Sequence, residues 1–385
     1  MGYDRLYFLK KAFAVYPGVV RPISAVVLAA HYARRRRRRG PLRAGLDAMV
    51  GLAFLAWIPW RARKVQRKFG LSEAWRRRAV QIARARFADP NDLALFGIDR
   101  AEALDGYIRR FEDAALNKII NPLGWGGRCL LADKLRFEAR CRATGLPQPE
   151  MVATLAAGRL AFDADPRGRD LVAKPADGEG GDGVRILPAV GDRAALATLV
   201  GRLDSRSDWL IQARVIGHPA LADVSLNALA TIRVVTILDE AGAPEVVSAT
   251  LRFASRAEAV VDNMKGGGLI AAVDLETGRL GPGRRGYGGD SVTHHPVTGA
   301  SIEGRLVPDW PAIQALARRA HKTGFAEYAL IGWDIAATPA GPVLIEGNAK
   351  PGVLMPQRAA GRGLAQGRYG ELLAHHLFVA ETSRD

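Results

Sequence analysis

The chain has 385 residues, enough for one large or two ordinary domains and for a buried core that needs no disulfide staples. Its 48% apolar and 24% charged residues are those of a globular protein and exclude a low-complexity or disordered chain. The net charge of +16 is unevenly placed: residues 1–86 hold 21 Lys and Arg against 3 Asp and Glu, and the remainder holds 34 against 36, so the basicity belongs to an N-terminal segment.

In chain order, residues 1–87 read as a helical, arginine-rich extension. The apolar run Ile23–Ala33 is followed by six arginines, Arg34–Arg39, and the second run, Leu46–Trp60, is interrupted by Asp47 and followed by Arg61, Arg63, Lys64, Arg67 and Lys68. Both runs are shorter than the roughly 20 residues that span a bilayer. Two readings stay open for them. Either they lie in the interface of an anionic membrane, with Trp57 and Trp60 at headgroup depth, or they form a hairpin that packs on the body with a solvated basic face. Nucleic acid is not expected, because no aromatic platform or reader motif accompanies the charge. No secretory signal pattern stands out, and Cys129 and Cys141 have neither disulfide nor zinc spacing, so the expected location is cytoplasmic, peripheral on the inner face of the membrane if the first reading holds.

A helix is expected to start at Ser72 and run to Phe87, with Asp89–Asp92 breaking it, and a second over Asp99–Lys118. Residues 88–129 are thus taken as a helical linker. After Gly124 strand and helix signals alternate. Strands are expected at Leu171–Lys174, Val184–Leu187, Trp209–Arg214, Thr231–Leu238, Glu245–Phe253, Leu269–Asp274, Ala329–Ala336 and Val343–Glu346, and helices at Asp133–Thr144, Asp192–Leu203, Trp310–Gly324 and Tyr369–Val379. Locally paired strands with helices to one side imply an α+β fold.

Three segments carry the chemistry. In LVAKPADGEGGDGV an apolar strand delivers Lys174, and Gly178, Gly180, Gly181 and Gly183 follow, a pattern that brings backbone N–H groups and one cation to phosphate oxygens without being a Walker loop. In GWDIA and VLIEGNAKPG, strand alternation points Glu346 and Asn348 to one side, where Asp334 of the neighbouring strand can complete an all-oxygen Mg²⁺ cluster. Arg233 and Arg252 stand inside apolar strands, where an unpaired guanidinium is costly, so each holds an anionic group or a structural carboxylate. Asn263 and three glycines, with Gly267 in their midst, form another close-approach loop. His294 and His295 lie in a Gly- and Pro-rich loop and read as surface residues. No GxSxG nucleophile elbow occurs.

Taken in order, Lys134, Lys174, the glycine loop, Gln212, Arg233, Asp334, Glu346 and Asn348 resemble the ATP-grasp superfamily. More narrowly, the words LADKLRF, AKPADGEGGDGV, ALATIRVVT, VDNMKGGG and GWDIA…PVLIEGNAKPG are similar to its sugar-transfer-associated branch, related to α-L-glutamate ligases. The resemblance implies two α+β lobes clasping ATP, with residues 130–214 as the small lobe and 215–385 as the large one. It implies ATP and Mg²⁺ as cofactors, with Lys134, Lys174 and Gly178–Gly183 on the phosphates, Gln212 and Ala213 near adenine, and Asp334, Glu346 and Asn348 on the metal. Arg233, Arg252 and Lys174 would be catalytic, and Arg252, Asn263 and Gly267 would hold substrate. The activity so implied is ligation of a carboxylate to an amine or similar nucleophile through an acyl phosphate, in a cell-envelope or polysaccharide setting. The alternatives are a phosphotransferase that stops at phosphorylated product and a nucleotide-binding scaffold at a membrane, against which the metal set argues. In two places the chain departs from the family pattern: Ala213 and Arg214 stand where many relatives have a carboxylate, and the arginine-rich segment replaces the usual N-terminal substrate domain.

Overall fold

The computed structural model describes residues 16–20, 24–177, 181–204, 206–256, 267–286 and 290–382. Its N-terminal part is helical: α1 (Ala29–Arg37), α2 (Pro41–Phe69), α3 (Glu73–Arg86) and α4 (Pro90–Phe96). The second apolar run is not an isolated short segment. It is the middle of α2, which starts with Pro41 in its first turn and stops at Gly70 in the left-handed region (φ 63°). At 29 residues α2 is long and apolar enough, by length and composition alone, to cross a membrane. The basic residues that flank the apolar run in the sequence continue the helix in the structure. Ser72 opens α3 as expected, its hydroxyl accepting from the Trp75 N–H at 3.0 Å. Asp89 does more than end a helix, because it also caps α4 by accepting from the Asn91 N–H.

The single helix expected over Asp99–Lys118 is broken into a 3₁₀ turn, Glu102–Gly106, and α5 (Arg110–Ile120). The cause is tertiary. The Gln357 amide accepts from the Ile108 N–H at 2.9 Å and donates to the Ile108 carbonyl at 2.8 Å, so both backbone groups are spent outside any helix. Glu112 then caps α5 by accepting from the Arg109 N–H.

The first sheet has the order β2-β1-β5-β3-β4, with β1 (Met151–Ala156), β2 (Arg159–Phe162), β3 (Arg169–Pro175), β4 (Arg185–Val190) and β5 (Trp209–Ala213), all antiparallel. Two of its strands, β1 and β2, were not expected: their alanine-rich alternation is weak, and the turn between them places Ala157 at positive φ (49°) beside Gly158 (74°), the geometry of a tight hairpin. Helix α6 (Lys134–Ala143) precedes this sheet, and α7 (Arg193–Val200) covers it through Leu196 and Val200.

The second sheet has the order β11-β10-β6-β7-β8-β9, with β6 (Thr231–Leu238), β7 (Pro244–Phe253), β8 (Leu269–Ala272), β9 (Arg284–Arg285), β10 (Leu330–Ala336) and β11 (Val343–Asn348). Alternation divides its residues. Ile232, Val234, Leu251, Ile331, Trp333 and Ile335 point to the face covered by α8 (Trp310–Gly324), where Ile313, Leu316, Ala317 and Ala320 complete the main core. Each Ile or Leu fully buried there stabilises by about 1.5–3 kcal/mol. The opposite face is divided along its strands. At one end Val235, Ile237 and Leu330 lie under α5, α10 (Arg368–Thr382) and Leu28 and Tyr32 of the N-terminal segment. At the other end Thr231, Arg233, Arg252 and Asp334 line an open cavity. A further short helix, α9 (Leu354–Ala360), follows β11 and was not expected.

The N-terminal segment is part of the body. The Tyr32 hydroxyl donates to buried Glu112 at 3.0 Å. Much of the arginine run is internal too: Arg34 pairs with Glu381, Arg36 donates to the Gly18 carbonyl and Arg39 pairs with Asp47. His295 corrects the surface reading of its loop. It is buried and its Nε2 donates to the Ala254 carbonyl at 2.8 Å, whereas His294 is exposed.

Candidate active site between the sheets

One cavity of about 790 Å³ lies between the sheets, lined from one side by Lys134, Lys174, Gly181 and Asp182 and from the other by Arg233, Arg252, Asp334, Glu346 and Asn348. Residues more than 150 positions apart in the chain therefore meet on one wall-to-wall space, within the size range of small-molecule sites.

Lys134 is the first residue of α6. Asp133 caps the helix by accepting from the Leu135 and Arg136 N–H groups, and the Lys134 N–H donates to the Ala176 carbonyl at 3.0 Å, which pins the helix start to the end of β3. Lys174 projects from β3, and its Nζ donates to the Gln212 side-chain oxygen at 3.2 Å. Burial lowers the Lys174 ammonium to about 8, with Glu346 opposing that shift and Lys134 adding to it. Gln212 is buried, holds Lys174, and is not among the residues that line this cavity. Ala213 does line the cavity, with Arg214, Val215 and Ile216 after it, and Val172, Ile186, Leu226 and Leu229 make the wall there apolar. Of the glycine loop, Gly178 and Gly180 lie outside the described residues, while Gly181 is on the wall. Gly183 follows at φ 80°, where a Cβ would stand 3.1 Å from the Pro175 ring.

On the second sheet Asp334 and Glu346 are direct cross-strand partners, β10 to β11, and Asn348 follows two residues on. Asn348 donates from its amide to the Glu346 carboxylate at 3.3 Å. Arg233 forks onto Asp334 with both Nε and Nη2, the latter at 3.0 Å, and Arg252 reaches the same carboxylate at 3.2 Å. Burial alone would raise Asp334, but the two guanidiniums outweigh it and hold the carboxyl well below the usual carboxylate range. Glu346 goes the other way, raised by burial and then by the neighbouring Asp334 charge. Arg233 crosses β10 over Gly332, where a Cβ would stand 3.1 Å from the Arg233 Cδ and 2.6 Å from the Pro351 Cβ. Both arginines are thus paired in the structure, and both also line the cavity. Asn263 lies outside the described residues. Gly267 (φ 88°) accepts from the Ser255 hydroxyl at 2.6 Å and is not among the cavity-lining residues.

Two wall residues escaped the sequence reading. Lys350 stands 5.0 Å over the Trp125 ring, whose indole N–H donates to Asn117 at 2.7 Å. Lys350 could have been noticed two places after Asn348; Trp125 gave no signal. Residues 88–129 are also more than a linker, since Asn117 and Asn121 both donate to the Ala349 carbonyl, at 3.2 and 2.8 Å, and so brace the end of β11.

The donor set suits a hard divalent cation. Asp334, Glu346 and the Asn348 amide present oxygen ligands only, and a buried carboxylate beside a half-buried one whose proton affinity is raised is relieved by a cation between them. Among the described residues no cluster of three or more His, Cys, Asp and Glu that could hold a metal ion occurs.

In comparison with known proteins, residues 193–369 match the family described as sugar-transfer associated ATP-grasp. Lys134, Lys174 and the glycine loop precede the matched stretch. No curated protein matches the chain. Among solved structures, D-alanine–D-alanine ligase from Bacillus anthracis complexed with ATP is 17% identical over 67% of this chain and 68% of that one, with a TM-score of 0.39. A second structure of D-alanine–D-alanine ligase from Bacillus anthracis is 16% identical over 71% and 76%, with a TM-score of 0.40. The biotin carboxylase domain of Hydrogenobacter thermophilus 2-oxoglutarate carboxylase, in complex with MgADP, ADP and bicarbonate, is 14% identical over 66% of this chain and 46% of that one, with a TM-score of 0.38. The matched stretch, a little under half of the chain, holds the Arg233–Asp334–Glu346–Asn348 group, and in that stretch the chain is similar to the sugar-transfer-associated ATP-grasp family.

Proposed function

We propose that the protein is an ATP-dependent ligase that activates a carboxylate as an acyl phosphate and passes it to an amine or a similar nucleophile. The observation that carries this reading is the meeting of Lys174 with the Asp334–Glu346–Asn348 set across one cavity. Lys134 and Lys174 bind phosphate oxygens, and Gln212 aims Lys174. The apolar wall of Val172, Ile186, Leu226 and Leu229 takes the base. Asp334, Glu346 and Asn348 would hold Mg²⁺, which supplies charge neutralisation at the phosphates when bound. Arg233 and Arg252, already fixed by Asp334, face the oxygens of the transferring phosphoryl group and of the acyl phosphate, where preorganised positive charge lowers the barrier. The family description, sugar-transfer associated, supports a saccharide setting for the substrate, and a cell-envelope role is the extension we propose.

The test is ADP release from purified protein with Mg²⁺-ATP and panels of amino acids and uronic acids, with mass spectrometry of the products. Lys174→Ala should remove ADP formation by about two to three orders of magnitude while the circular dichroism spectrum is kept. Undiminished turnover by that variant would remove the phosphate role. ADP formation with no amine requirement and a phosphorylated product would identify a phosphotransferase instead.

A further inference from the structure

Helix α2 presents two unlike faces. Val50, Phe54, Trp57 and Ile58 are buried against α3, α4 and the segment after them, and Ala62 and Val65 are buried on the same face. The opposite face carries Leu42 (81% exposed), Leu46, Met49, Leu52 (68%) and Trp60 (52%), with the exposed alanines Ala53 and Ala56 between. At 100° per residue these positions fall within one arc of about 120°, so they form a single stripe roughly 27 Å long. The stripe does not fade into a polar helix end. Arg63, Lys64 and Arg67 continue it on the same face and are exposed, and Lys64 stands 5.0 Å over the Trp60 ring. Arg37 and Arg38, which precede α2 in the chain, are exposed at the close of α1.

We propose that this stripe docks the protein on an anionic bilayer surface, with α2 lying in the plane of the membrane. Charge complementarity selects the occupant: exposed cations continue the apolar stripe at its end beyond Trp60, exposed Arg37 and Arg38 precede the helix in the chain, and Trp60 marks the headgroup boundary. The fold selects the orientation. α2 meets the length and hydropathy of a spanning helix, but its inner face is packed on α3, which carries Arg76, Arg77, Arg78, Arg84 and Arg86. Spanning would strip that face from its core or carry arginines into hydrocarbon, and either is costly. In-plane docking leaves the core intact and immerses only side chains that are already exposed. The proposal is independent of the ligase reading, since none of these residues lines the cavity.

The experiment is cosedimentation of the full chain with vesicles of phosphatidylcholine alone and of phosphatidylcholine and phosphatidylglycerol in equal parts. Binding to the mixed vesicles only, weakened by added salt, is expected. Leu46→Asp/Met49→Asp should weaken the partition coefficient more than about tenfold, because two apolar contacts are lost, while leaving the melting temperature and ADP formation unchanged. Arg63→Gln/Arg67→Gln should lessen both binding and its salt dependence. Absence of wild-type binding to the mixed vesicles overturns the proposal, as does equal binding by the aspartate variant. A dimer seen in sedimentation and abolished by the aspartate variant would assign the stripe to a second copy of the chain instead. Resistance to alkaline extraction from membranes would overturn the in-plane orientation.

Discussion

Lys174 stands under two opposing influences, burial that expels its proton and the Glu346 charge that keeps it, with the first prevailing. Its ammonium therefore titrates near 8 in the free protein, and bound phosphates would raise it again. Nucleotide affinity should be flat below pH 8 and fall above it by up to about tenfold per pH unit, since binding must then take up a proton. Lys174→Arg, which stays charged throughout, should flatten that profile in a calorimetric titration across roughly pH 6.5 to 9.5. An unchanged slope in that variant would move the titration to another group. Asp334 is a different case: it is the common partner of Arg233 and Arg252. Asp334→Asn leaves two largely buried guanidiniums without their counter-charge and should cost about 3–5 kcal/mol, read from the urea midpoint, as well as turnover. A variant as stable as the parent would show that the arginines find other anions.

At the scale of the elements, the site depends on strands that approach without side chains. Gly332 of β10 lies beneath Arg233 and beside Pro351, and a methyl group there would stand 2.6 Å from the Pro351 Cβ. Gly332→Ala should displace either the turn after β11 or the Arg233 fork. The expected loss is about 1–3 kcal/mol of stability together with a fall in ADP formation, checked by thermal melting and turnover on the same preparation. A variant that melts like the parent and turns over at the same rate would show that the turn yields freely. The bracing of β11 by Asn117 and Asn121 belongs to the same scale, because a helix from outside both sheets sets where the acidic strand ends. β-Alternation explains why Glu346 and Asn348 share a side, and the β10–β11 register explains why Asp334 joins them.

In the molecule as a whole, the N-terminal helices are joined to the body through the cluster around Leu28, Tyr32, Phe111, Ile237 and Tyr369. Leu28 is fully buried there. Leu28→Ala should cost about 2–5 kcal/mol, measured as loss of unfolding free energy in urea, and the whole chain should unfold earlier instead of the N-terminal part alone. A separate early transition, with the ATP site unaffected, would make the helices an independent unit.

The sequence by itself determined most of the local structure and the charged residues of the candidate site. Trp310–Gly324 and Thr231–Leu238 lie within the bounds read from periodicity, because a helix with one apolar stripe and a strand alternating about a core are recorded in every third or second residue. Lys174, Asp334 and Glu346 were legible because charged residues inside apolar runs are costly without a purpose. Partners at long range were not legible. Nothing local says that Gln357 breaks the helix at Ile108, that Gln212 holds Lys174, or that Trp125 stands beneath Lys350. The same holds for the arginine run, which reads as a uniform basic surface but divides between internal ion pairs and exposed cations. Periodicity records which side of an element is buried. Only the packing of distant segments decides what it is buried against.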